Sequence, residues 1–418
     1  MAGEQARTAS ESQAQGTANA TARIRKLGRA AEPYVIAQRR YFHQHPELSL
    51  QEVGTTEAIA RELDAMRIPY ERPLDTGLVA TLAGTAPDAY REDGSPRRRL
   101  LIRADIDALA VTERTGVPFA SERAGVMHAC GHDCHIAMQL GALRVLAQMT
   151  DALHGEVRAV FQPSEENGQG ARMMIDAGVL DGVDGAYAAH IWSEVDAGTI
   201  SCEAGPRMAN TDWFRVDVRG TSCHGAMPQR GADAIVAAAE IVNNLQTIVS
   251  RDLSPYEPAV VTVGELHGGT ARNVIAGTPT SPGPCATYSE RRTRRCRCSS
   301  RASRSIPLRR WERKRSLPTT PSRMAAVVND EAASARCRRA IERVLGPEAV
   351  GCYRGTLSGE DFSEVLRRVP GVLAFVGTRN PALGATFAQH SCFYRVDESV
   401  LVKGAMLAAQ YAVDFLAE

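Results

Sequence analysis

Residues 127–135 read MHACGHDCH, which places three histidines, two cysteines and an aspartate in nine positions. Two chemistries use such residues. A Cys–His nucleophile needs one thiol, one base and an orienting group. A metal site needs several donors from separate segments, with carboxylates among them when two divalent ions are held. The rest of the chain supplies the second set: Glu165 and Glu166 side by side in FQPSEENGQG, His190 in AAHIW and His390 in FAQHSCF. Each piece alone has an ordinary explanation, since a single histidine is usually a hydrogen-bonded core or surface residue and paired glutamates usually mark a solvated turn. Their conjunction is far more specific. Adjacent glutamates in an extended segment point to opposite sides, so one can bind metal while its neighbour faces the substrate as a base.

These residues need elements to carry them. The runs GLVATLAG, RRLLIRADID, GEVRAVFQP and GAYAAHIW are apolar or alternating and predict strands, with the glutamates and His190 at strand ends. Helical stretches such as CHIAMQLGALRVLAQM and GARMMIDAGVL lie between them. This alternation predicts an α/β domain with a mostly parallel sheet covered on both faces, and sites in such sheets sit at the carboxyl ends of strands. Near residue 206 the pattern changes. WFRVDVRG and PAVVTVGELHGG read as strands flanking a helix whose apolar face is Ile235, Ala238, Val242, Leu245 and Val249. The expected organisation is a leader at 1–22, a catalytic domain at 23–205 and 325–418, and a smaller α+β domain inserted at 206–324.

A chain of 418 residues with a net charge of +1 is long enough for two domains and has no overall drive toward nucleic acid or acidic membranes. No run of about 18 apolar residues predicts a membrane span. The polar first twenty residues lack the apolar stretch of a secretory signal and predict a disordered leader on a cytoplasmic protein, whose ten cysteines are reduced thiols. One stretch breaks the pattern: residues 279–323 hold twelve Arg and one Lys against two Glu, with prolines at 279, 282 and 284 where a strand ladder should run. Its composition resembles translation in a shifted frame that is later restored. It predicts loss of about half the inserted sheet and of a helix, and weak or absent activity for this chain. A solvated basic loop, or nucleic-acid binding through residues 291–315, is the alternative, although interleaved aromatics are lacking in 291–315 apart from Trp311.

The segments RRYFHQHPELSLQE, RADIDALAVTE, MHACGHDCHIAM, FQPSEENGQGARMMIDAGVL, HIW, GTSCHGAMPQRGADAI and SGEDFS together resemble the metal-dependent amidohydrolases of the aminoacylase, hippurate hydrolase and indoleacetyl-amino-acid hydrolase group. That group is a branch of the co-catalytic zinc-peptidase superfamily. The resemblance spans about residues 23–278 and 325–418. It implies an α/β catalytic domain interrupted by a ferredoxin-like lid or dimerisation domain, hence a homodimer or larger homo-oligomer. It also implies two divalent ions (zinc, manganese, cobalt or nickel) held by Cys130, His132, Glu166, His190 and His390. By the same resemblance Glu165 is the general base, Asp107 orients a ligand histidine, His224 is a lid histidine that touches substrate, and Asn273 borders the pocket. Glu360 in SGEDF is a further candidate contact. The implied substrate is a small N-acyl amino acid or related conjugate, with no nucleic-acid or membrane partner; a dipeptide or carboxypeptidase substrate, or a catalytically impaired metal-binding protein, is the alternative.

Amide hydrolysis fits these roles because it needs a hydroxide near neutral pH, a polarised carbonyl and a proton for the leaving nitrogen. His128 and His135 are expected to be structural hydrogen-bonding residues, and Cys134 a small packed thiol. His43 and His45, before Pro46, are expected to cap or pack a helix end.

Overall fold

The computed structural model describes residues 2–212, 216–256, 258–277, 285–287 and 323–418. The chain divides into two compact units: Met1–Arg207, Val328–Arg354 and Glu364–Glu418 form the first, and Met208–Val327 with Gly355–Ser363 form the second.

The first unit is built on a seven-stranded sheet of β1 (Tyr70–Glu71), β2 (Leu78–Ala83), β3 (Arg99–Asp105), β4 (Glu156–Gln162), β5 (Gly185–Asp196), β6 (Ile200–Ser201) and β7 (Gly371–Arg379). The spatial order is β1-β2-β4-β3-β5-β7-β6. The four central strands β4, β3, β5 and β7 pair in parallel, while the β1–β2, β2–β4 and β7–β6 pairings are antiparallel. The expected parallel sheet is therefore its centre, with antiparallel flanks. Every residue of β7 from Gly371 to Thr378 is buried, as a strand covered on both faces must be.

Helices α1 (Ala2–Gln44), α2 (Val53–Met66), α3 (His132–Leu146), α4 (Gly170–Asp176), α5 (Glu331–Val344) and α6 (Leu401–Leu416) complete this unit. Helices α1, α3 and α6 pack on one another, and α5 packs on α6. All of α3 is buried except Arg144. At Gly141 a Cβ would lie 2.6 Å from Val35 Cγ2 and 3.1 Å from Ala405 Cβ, so glycine lets α1 and α6 approach α3 closely. The segment Glu398–Leu416 is apolar enough by composition to cross a membrane, yet 89% of it is buried inside the molecule, as in a core helix. The leader expected to be disordered is helical from Ala2 onward: its Ala, Gln, Glu and Arg residues favour a helix, and Ala20 and Ile24 anchor the continuing helix in the core.

In the second unit, short antiparallel strands lie in the order Arg323–Met324, Asn210–Asp212, Cys285–Thr287, Ala259–Val261. Cys285–Thr287 comes from the stretch whose composition argued against a strand, and it is paired on both sides. The rest of 279–322 lies outside the described residues, as does 213–215 of the predicted strand WFRVDVRG, whose residues 216–220 are not strand. The helix Ala234–Leu245 starts at Asp233, whose Oδ1 accepts from Ile235 N at 2.9 Å and Val236 N at 3.2 Å. Its buried residues are Ala234, Ala237, Ala238 and Leu245: Ala238 and Leu245 are buried as predicted, while Ile235 and Val249 are exposed and Ala234 and Ala237 take their place. A small core of Leu245, Ile248, Leu253 and Val261 holds this unit.

Candidate metal centre

Three chain segments of the first unit end where the parallel strands end. β3 leads through Ile106 into Asp107, β4 leads through Pro163 and Ser164 into Glu165 and Glu166, and the loop before α3 delivers Cys130 and His132. His190 is not at a strand end, because β5 continues to Asp196. It lies two residues past Ala188, the last β5 residue paired with β3, so it stands just beyond the paired stretch of the two strands. His390 arrives from the irregular segment after β7, where its backbone N–H donates to Ala129 O at 2.8 Å.

All five expected donors converge. Cys130 Sγ lies 3.6 Å from His190 Nε2, His132 Nε2 lies 3.8 Å from Glu166 Oε1, and His390 Nε2 lies 3.6 Å from Glu166 Oε2. Two trios of donor atoms, Cys130–His132–His190 and Cys130–Glu166–His390, each fit within 4.8 Å and share the Cys130 sulfur. Glu165 Oε2 is 4.0 Å from the same His132 nitrogen. The two glutamates therefore do not point to opposite sides: they sit in a turn closed by Gly168 N donating to Glu165 O at 2.7 Å, which breaks the strand alternation.

Two of the three imidazoles are fixed through their other nitrogen. His132 Nδ1 faces the Asp107 backbone O at 2.9 Å and its Oδ1 at 3.3 Å, and His190 Nδ1 donates to Ile191 O at 2.7 Å. Both rings consequently present Nε2 to the shared space. Asp107 Oδ2 also accepts from Glu166 N at 3.0 Å and Ser49 Oγ at 2.6 Å. Glu52 Oε1 accepts from Ser164 N at 2.9 Å, holding the residue before Glu165. Ser164 (φ 61°) and His390 (φ 66°) both adopt the left-handed backbone region, which non-glycine residues rarely occupy without surrounding support.

The electrostatics call for cations. Burial pushes the Cys130 thiol well above its ordinary range, and the Glu166, Glu165 and Asp105 carboxylates push it further. Burial likewise raises Glu166 to about 7 against the pull of His132. For His132 burial disfavours the charge, but Asp105, Asp107 and Glu166 outweigh it and raise the ring to about 10. Among the described residues His132 Nε2 and Glu166 Oε1 are buried without a hydrogen-bond partner, and they face each other. Buried donors left without partners are costly. Thiolate, imidazole and carboxylate donors around shared space suit a pair of divalent ions, and the residues present fit that group.

His135 is hydrogen-bonded as expected, whereas sequence reasoning missed its partner Asp105 and the adjoining Arg103. Asp105 Oδ1 accepts from His135 Nδ1 at 2.5 Å, and His135 Nε2 accepts from Ile191 N at 2.9 Å, so His135 braces the strand that carries His190. Arg103, two residues from Asp105 on the same strand face, pairs with it at 2.5 Å; the RAD tripeptide carried that signal. His128, expected to hydrogen-bond, has no partner on either ring nitrogen among the described residues, and burial lowers it to about 4. His45 Nδ1 donates to Tyr41 O at 2.7 Å, closing the helix end. His43 is not a cap: it is buried in a cluster of charges.

The remaining site residues belong to the second unit. His224 is exposed and pairs in an isolated bridge with Val274, and Gly225 N donates to Asn273 O at 2.8 Å, so His224 and Asn273 lie on adjoining segments. Glu360 is buried, with Oε1 accepting from Phe362 N at 2.8 Å.

Residues 101–414 match the family model described as peptidase family M20/M25/M40. The chain is 36% identical over 383 residues to N-acetyl-L-cysteine deacetylase of Bacillus subtilis (strain 168), covering 89% of this chain and 86% of that protein. It is 33% identical over 394 residues to thermostable carboxypeptidase 1 of Saccharolobus solfataricus, covering 93% and 96%. A crystal structure of a dinuclear metal-binding peptidase of the M20 family from Bacillus subtilis superposes with a TM-score of 0.74 at 31% identity, covering 93% of this chain and 99% of that one.

Proposed function

We propose, from the premise that this chain belongs to peptidase family M20/M25/M40 and is a metal-dependent hydrolase of amides, that it cleaves N-acyl amino acids with Glu165 as the general base. The observation that carries this reading is the placement of a second carboxylate, Glu165, 4.0 Å from the His132 nitrogen that the donor set already surrounds. With Glu166 among the proposed ligands, this second carboxylate supplies a proton acceptor beside them.

Cys130, His132, Glu166, His190 and His390 would hold two divalent ions. When bound, such ions lower the pKa of water toward neutrality and polarise the scissile carbonyl. Glu165 takes the proton released as water attacks and returns it to the departing amine nitrogen. Asp107 keeps the Nδ1 proton of His132 in place, so Nε2 stays available as a donor. His224 and Asn273 keep the substrate-contact and pocket-bordering roles that the resemblance implies, in a lid of ferredoxin-like type, and Glu360 is a further candidate contact.

The decisive variant is Glu165→Gln. It should retain metal content by elemental analysis while kcat for N-acetyl and N-benzoyl amino acids falls by about 10²–10⁴-fold. Wild-type turnover by E165Q, or loss of its metal, would contradict the assignment. The relative named as a carboxypeptidase favours a second reading, peptide hydrolysis at the same centre. Dipeptides and N-blocked peptides in the same panel separate the two.

A further inference from the structure

We propose that the buried charge cluster of Arg39, His43, Glu113 and Asp133 positions the first turn of α3, and with it His132, with His43 as the central positioning residue. The inference rests on the metal-site reading above and deepens it.

Asp133 follows His132 directly and is fully buried. Its Oδ2 accepts from His43 Nδ1 at 2.8 Å and lies 3.0 Å from Arg39 Nε. On the other side of the ring, His43 Nε2 lies 3.2 Å from Glu113 Oε1. A neutral imidazole would aim a lone pair at one of these carboxylates, whereas an imidazolium donates to both. Burial and Arg39 oppose that charge, but Asp133 and Glu113 outweigh them and raise His43 above its ordinary value. Glu113 is itself held by Ser121 N at 2.6 Å and by Thr115 Oγ1. The Phe119 ring meets His43 edge-on, with centroids 5.8 Å apart, and its face receives the Arg39 guanidinium.

The consequence is a two-sided hold on His132. Asp107 fixes the ring, and Asp133 fixes the adjoining main chain to α1, which packs along α3. The N-cap, Gly131, has no side chain to cap the helix, so Asp133 is the first acidic residue in the opening turn. Without His43, Asp133 would lose its hydrogen-bond donor and keep Arg39 as its close cation among the described residues, in a site where an under-compensated carboxylate is costly. The turn could then shift to hydrate it, and the His132 donor would move too.

The test uses the full chain with His43→Ala, His43→Asn and His45→Ala. Asn places an amide N–H close to where His43 Nδ1 donates. Zinc affinity is measured by competition with a chromophoric chelator, and cobalt-loaded protein is examined by visible absorption, which reports coordination geometry. H43A should lose about tenfold or more in affinity and shift the cobalt bands, H43N should recover to within about threefold, and H45A should match wild type. Wild-type affinity and spectrum in folded H43A would overturn the proposal, as would equal losses in H43A and H43N. If H43A does not fold, Glu113→Gln is read in the same way: shifted bands support the proposal, and unchanged bands with unchanged affinity overturn it. Failure of the amidohydrolase reading would appear differently, as tight metal binding with no turnover of any amide in the panel.

Discussion

Asp107 shows how much a single side chain can fix. Its carboxylate meets His132 Nδ1, the Glu166 backbone N–H and the Ser49 hydroxyl together, so it joins two donor-bearing segments that are 34 residues apart in the chain. Burial disfavours its charge, but His132, Ser49 and the Glu166 N–H hold its pKa below the ordinary aspartate value. Asp107→Ala removes all three contacts. Zinc affinity in chelator competition is expected to fall by about 10–100-fold, and a variant with unchanged affinity would show that the ring needs no such brace. The sequence made this residue legible because RADIDAL is a specific motif. His43 was not legible: its chief partner, Asp133, lies 90 residues away, and nothing local separates a helix-end cap from the centre of a charge cluster.

At the scale of elements, the turn into α3 is the most constrained piece. Gly131 has φ 86°, and a Cβ there would lie 2.2 Å from Ile191 Cδ1. Gly131→Ala combines left-handed strain with a clash against β5, the strand that carries His190. It should destabilise the fold by about 1–3 kcal/mol in urea unfolding, and an unchanged midpoint would mean that the turn adapts. Strands β2, β3, β4 and β5 were readable as apolar or alternating runs, and α3 as a long helix. What escaped was detail set by tertiary context. The glutamate pair left the strand for a turn, the helix Ala234–Leu245 buried Ala234 and Ala237 beside the expected Ala238 and Leu245 while Ile235 stayed exposed, and β5 ran past His190. Apolar periodicity reports which residues are able to be buried, while the neighbours decide which of them are.

For the molecule as a whole, the five proposed donors all fall in the first unit, so metal bound by them would be linked to the stability of that unit. Ligand that binds only the native state at a hundred times its Kd adds about 2.7 kcal/mol. Thermal unfolding of the zinc-loaded chain should therefore shift down by a few degrees on treatment with EDTA and recover with added zinc, and a midpoint indifferent to both would argue against a loaded centre. The position of β7 has another consequence. It fills the gap between β5 and β6, although it follows both by more than 160 residues and His390 follows it in turn. A chain still emerging from the ribosome must keep the open edge of β5 from pairing with its neighbours until residue 379 is released, and a stalled or truncated product would expose that edge to aggregation.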